Sequence, residues 1–234
     1  MAVSRRTTRI LWIGVAFLVF IGVAAVTRRT VVLVWPGTLG SGSANPAAAL
    51  DGGFGSHKWL TLIHILPGAL FLTLATLQFM PGIRQRHLNF HRWSGRFLVV
   101  LGLIIGVSAL VMSFKMNIGG ANETAATTLY AIVFLSCLIK AYLFIRKKNV
   151  VCHREWMIRM YAVGLGVATT RPIVGAFFAS RKLTPHEFFG IAFWLGFTIT
   201  FMAGEFWIDY TRAHGTQANA SDGGIEAATA IAAD

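Results

Sequence analysis

The chain has 234 residues, of which 55% are hydrophobic and 13% charged, and its mean hydropathy is +0.63. A soluble domain normally carries about 25% charged residues, so a water-soluble fold is excluded. The formal net charge of +12 is carried largely by short turns between apolar runs, which points to topology and anionic lipid headgroups rather than to nucleic acid.

Apolar runs of roughly twenty residues recur along the chain, the length that crosses a bilayer as a helix. The first predicted helix covers 10–27, after Arg5, Arg6 and Arg9. It is long for a secretory signal and is read as an uncleaved span. Arg28 and Arg29 follow it, and Pro36 closes the segment. Residues 36–58 are rich in Gly, Ser, Ala and Asn and read as an extracytoplasmic loop. The second helix covers 59–80, holds His64, Pro67 and Gln78, and ends at Pro81-Gly82. The third covers 93–114, with Gly102 and Gly106 spaced to let a neighbouring helix approach closely.

The fourth helix covers 125–145, and a strongly basic turn with Arg146, Lys147, Lys148, His153 and Arg154 follows. The fifth covers 157–179 with Arg159, Arg171 and Pro172, and the sixth covers 188–210 with Glu205. Residues 213–234 cannot bury enough apolar area to fold and read as a disordered cytoplasmic tail. The expected architecture is therefore an all-α polytopic membrane protein. Its core domain, 59–210, has helices two to five as a four-helix core, flanked by helices one and six. Most basic turn residues fall on the side of the N-terminus, so the positive-inside rule puts both termini in the cytoplasm of an inner-membrane protein.

A shift of the sequence by about 62 residues overlays the two basic turns. His91 falls on His153, Arg92 on Arg154, and Gly102 on Gly164. Helices two and three then read as a copy of helices four and five, related by an axis along the membrane normal. The alternative is convergence, because any two cytoplasmic turns need basic residues.

Ionisable groups inside lipid are costly and usually face a bundle interior. His64 is expected about 7–8 Å below the outer boundary at helical rise, and Arg171 in the outer half, so the two form a candidate intramembrane polar site. Glu205 is expected to pair with Arg96 or Arg159 near the inner face. His91 and His153 start helices three and five, which are diagonal in an up-down bundle. Two such imidazoles suit bis-histidine ligation of one haem, and their alternative is contact with lipid headgroups beside their arginines. Cys137 and Cys152 lie in no CxxC or CxxCH pattern, so thiolate metal sites and covalent haem attachment find no support, and no metal site is expected.

Five features carry a family resemblance: His64, the knot His91-Arg92-Trp93 to Gly95-Arg96, the knot His153-Arg154 to Arg159, Arg171, and Glu205. On these the chain resembles an uncharacterised bacterial family of multi-pass membrane proteins, domain of unknown function 2306, over about 57–210. The resemblance implies a membrane-helix fold and no assigned activity. A looser likeness to di-haem b-type cytochromes implies two intramembrane histidine pairs, and the fourth helix here has no histidine.

Three functions follow as expectations: a redox protein holding one haem at His91 and His153, a small-anion or proton transporter or sensor using His64 and Arg171, and a non-catalytic component binding lipid or a partner. An enzyme of the metalloprotease or serine-hydrolase type lacks its HExxH or GxSxG signature.

Overall fold

The computed structural model describes residues 4–35, 52–116 and 118–231, with side chains described outside position 81 and 215–231. The fold is all-α. Its helices are α1 (Arg5–Val34), α2 (Lys58–Gln78), α3 (Pro81–Arg86), α4 (Leu88–Lys115), α5 (Gly120–Arg146), α6 (Val150–Ser180) and α7 (Pro185–Ile231). A further helical turn covers 52–55. All of the named helices except α3 are long and apolar enough to cross a membrane, α7 over Pro185–His214. Each carries large apolar side chains exposed outward, among them Phe20, Leu70, Val107, Ile139, Ile199 and Phe206. Water would not tolerate such a surface, and lipid covers it.

The helices correspond to the expected spans but most run longer. α1 continues through Arg28 and Arg29, because arginine is a good helix former and its stem can lie along the apolar surface. α4 starts at Leu88 rather than 93 and α6 at Val150 rather than 157, so both basic knots lie wholly within helix, with His91 and His153 in the first turn. Asn149 caps α6 by accepting a hydrogen bond from the Cys152 amide at 3.0 Å, as an N-cap asparagine does. The backbone of α7 is helical to Ile231, beyond the expected end at 210. Extending an existing helix carries no nucleation cost, and alanine favours it. The expected loop 36–58 lies outside the described residues up to position 51.

α2, α4, α5 and α6 form the core. α2 packs on α4, α4 on α5, and α5 on α6, while α2 and α6 touch only slightly. α1 seats between α2 and α6, and α7 packs against α5 and α6. Glycines set the close approaches. A Cβ at Gly106 would lie 2.4 Å from Leu135 Cδ2, and one at Gly102 2.8 Å from Leu138 Cδ2, so this pair brings α4 onto α5. A Cβ at Gly166 would lie 2.3 Å from the Phe197 ring, and one at Gly196 2.9 Å from the Thr170 backbone nitrogen, which locks α6 to α7. On the α1 side, a Cβ at Gly22 would lie 2.9 Å from Leu72.

The helix starts repeat with the expected register. Lys58 opens α2 and Gly120 opens α5; Leu88 opens α4 and Val150 opens α6; each pair is 62 residues apart. The ends where α4 and α6 begin carry Arg84, Arg92, Arg146 and Arg154 and are called the basic end. The opposite end is called the far end.

Candidate functional site

His64 lies one and a half turns into α2 from the far end, and Arg171 lies nine residues from the far-end terminus of α6. Both line a single cavity of about 430 Å³ between the helices. All six spanning helices contribute to its walls. α1 closes it on the side where α2 and α6 do not pack.

The sequence makes room for this cavity in the two helices that carry the polar pair. Pro67 in α2 and Pro172 in α6 each remove a backbone donor and relax the preceding turn. Gly68 and Gly175 line the cavity, and a Cβ at either would meet nothing within 4 Å.

The His64 ring is oriented from α4. Its Nδ1 lies 2.9 Å from Ser108 Oγ. That hydroxyl is directed at the Ile104 carbonyl at 2.6 Å and the Ile105 carbonyl at 3.0 Å. Its single proton is used there, so Oγ accepts and Nδ1–H donates. The hydrogen bond of His64 to Ser108 is thus made at Nδ1, and the residue lines the cavity.

Arg171 is different. Its Nε is buried with no hydrogen-bond partner, and the guanidinium makes no ion pair among the described residues. An arginine cannot shed its proton to escape this. Arg28 and Arg29 line the far-end part of the cavity, Arg29 over the Phe54 ring at 4.2 Å. Glu123 also lines it, and its Oε2 accepts from the Ile118 and Gly119 amides at 2.6 and 2.7 Å. Toward the basic end the wall is apolar and aromatic, with Phe71, Phe134 and Phe197. The Tyr130 hydroxyl there is engaged with Thr198 Oγ1 at 2.7 Å.

The expected inner ion pair forms with one of its two candidate arginines. Arg159 holds Glu205 in bidentate fashion, Nε to Oε1 at 2.6 Å and Nη2 to Oε2 at 2.9 Å. Arg96 does not join, because α4 and α7 are not neighbours. It is exposed and lies 5.2 Å from the Trp93 ring centroid. A second pair was not foreseen: Arg212 of α7 donates to both oxygens of the buried Glu155. The i, i+4 spacing places Glu155 and Arg159 on one face of α6, but it points to Arg159 as the partner of Glu155 and gives no signal for Arg212.

His91 and His153 sit four residues into α4 and α6 at the basic end, near enough to each other to interact electrostatically. His153 Nδ1 donates to the Ala141 carbonyl at 2.9 Å, which leaves its Nε2 as the other ring nitrogen. His91 Nδ1 is buried and has no hydrogen-bond partner among the described residues. Neither lines the far-end cavity.

A bundle of six long apolar helices with a lipid-facing apolar surface and ionisable groups turned inward defines an integral membrane protein. The chain belongs to the family described as "Predicted membrane protein" (DUF2306), whose model matches residues 61–208. That span takes in His64, both basic knots, Arg171 and Glu205. The chain matches none of the curated proteins and none of the solved structures.

Proposed function

We propose that the protein binds a small anion inside the membrane domain, between His64 and Arg171, as the recognition step of transport or sensing. One observation carries this reading: Arg171 lines a cavity it shares with His64, its Nε is buried without a hydrogen-bond partner, and its guanidinium makes no ion pair among the described residues. A buried charge without a partner is costly, and proteins retain such groups chiefly where a ligand supplies the missing charge. The volume, about 430 Å³, falls in the range of small-molecule sites. With the basic end taken as cytoplasmic by the positive-inside rule, the cavity lies in the outer half and the anion enters from outside. Anionic headgroups then meet the arginines at the cytoplasmic boundary.

The test uses purified full-length protein in detergent, with thermal unfolding followed across a panel of chloride, inorganic phosphate, acetate and decanoate. At least one anion should raise the melting temperature of the wild type and leave Arg171→Met unmoved. If no anion in the panel stabilises the wild type, or if Arg171→Met responds equally, the reading fails.

A further inference from the structure

We infer that the ligand is a carboxylic acid with a single apolar body, its carboxyl held by His64 and Arg171 and its tail directed toward the basic end. This rests on the anion reading above and names the chemical class.

The head assignment follows from the two groups the wall presents. Arg171 offers only donors. His64, with Nδ1–H committed to Ser108, presents at Nε2 a lone pair when neutral. A spherical halide can satisfy the arginine but has nothing to give Nε2. A carboxyl group satisfies both: one oxygen accepts from the guanidinium, and the O–H of the other donates to Nε2. If the proton crosses to Nε2, the products are a carboxylate and an imidazolium, with no net change in the charge of the site. The acid can therefore arrive uncharged and become an anion where Arg171 receives it.

The tail assignment follows from the walls. On the far-end side the lining is charged, with Arg28, Arg29 and Glu123. On the basic-end side it is apolar and aromatic, and the Tyr130 hydroxyl is already bonded to Thr198. Gly164 and Phe71 line this deep part, and each lies seven residues along its helix from Arg171 and His64 respectively. At helical rise both give an apolar depth of roughly 10 Å beyond the polar pair. Phosphate or a dicarboxylate would leave polar atoms unsatisfied against Phe71 and Phe134, at a cost that grows with each.

The experiment compares decanoate, decanol, acetate and inorganic phosphate on the wild type, Gly68→Leu and Gly164→Ala in the same detergent. Gly68→Leu puts an apolar side chain on the cavity wall at a position where a Cβ meets nothing within 4 Å. Gly164→Ala is the milder second variant, its Cβ at 3.7 Å from Phe71 and 3.8 Å from Phe134. Decanoate should bind the wild type at least tenfold more tightly than acetate or phosphate, decanol should bind weakly, and Gly68→Leu should weaken decanoate at least tenfold. Gly164→Ala should weaken it by a smaller factor. If acetate or phosphate binds as tightly as decanoate, the anion reading stands and the apolar-acid assignment falls. If decanol matches decanoate and no anion is preferred, both fall.

Discussion

His64 and Arg171 line the same cavity from two helices that hardly touch each other, and α1 occupies the gap between them. In the repeat register of 62 residues, His64 corresponds to Ala126 and Arg171 to Ala109. The pairs α2–α4 and α5–α6 share their helix starts and basic turns in this register, but not His64 or Arg171. Each of these two polar residues therefore falls on an alanine in that register.

Ser108→Ala should loosen the His64 ring without emptying the site. The serine is buried, and its bond to Nδ1 is what orients Nε2. A hydrogen bond of this kind contributes about 0.5–1.5 kcal/mol net. Anion affinity should fall by up to about tenfold, and the ligand-free protein should melt somewhat lower because His64 Nδ1 loses its partner. Titration of the variant with decanoate checks this, and an unchanged affinity would show that the histidine orientation is irrelevant.

Gly166→Ala and Gly175→Ala should separate packing from cavity. At Gly166 a Cβ would lie 2.3 Å from the Phe197 ring and 3.0 Å from its Cα. Backbone must move, and α6 must shift from α7. Overpacking of this kind costs about 1–3 kcal/mol, read as a lower melting temperature. At Gly175 nothing lies within 4 Å, so that alanine should leave the melting temperature within error or raise it, since alanine is the better helix residue.

Glu205→Gln should destabilise the junction of α6 and α7. The Arg159–Glu205 bond is bidentate, with side chains 15% and 27% exposed. Hydrogen bonds to charged groups contribute about 1.5–3 kcal/mol, and the partial exposure puts the expected loss toward the low end. Arg159→Gln should cost a similar amount, and the double variant should cost less than the two together. Arg96→Gln should be neutral by the same thermal measurement, because Arg96 lies outside the pair.

The architecture was legible because a bilayer permits few solutions. Long apolar runs must be helices, and their number and order follow from hydropathy alone. The helix ends were harder: Leu88 to Arg92 and Val150 to Arg154 look like polar loop, yet they continue helices past the apolar stretch. His64 and Arg171 were legible as a pair because charge inside lipid demands explanation and their depths agree. Ser108 was not, since a serine in an apolar run gives no sign of what faces it. The Glu155–Arg212 pair was missed for a similar reason: Arg212 reads as a topology charge until α7 is laid against α6. The choice of Arg159 over Arg96 required knowing which helices are neighbours, which depth alone does not give.

The most direct test is Arg171→Met. If Arg171 is held unpartnered for a ligand, methionine removes a buried charge and fills similar space, and the ligand-free protein should unfold at a higher temperature than wild type. Stabilisation by decanoate should vanish in the same variant. A lower melting temperature together with an undiminished decanoate effect would make Arg171 a structural brace and contradict the account.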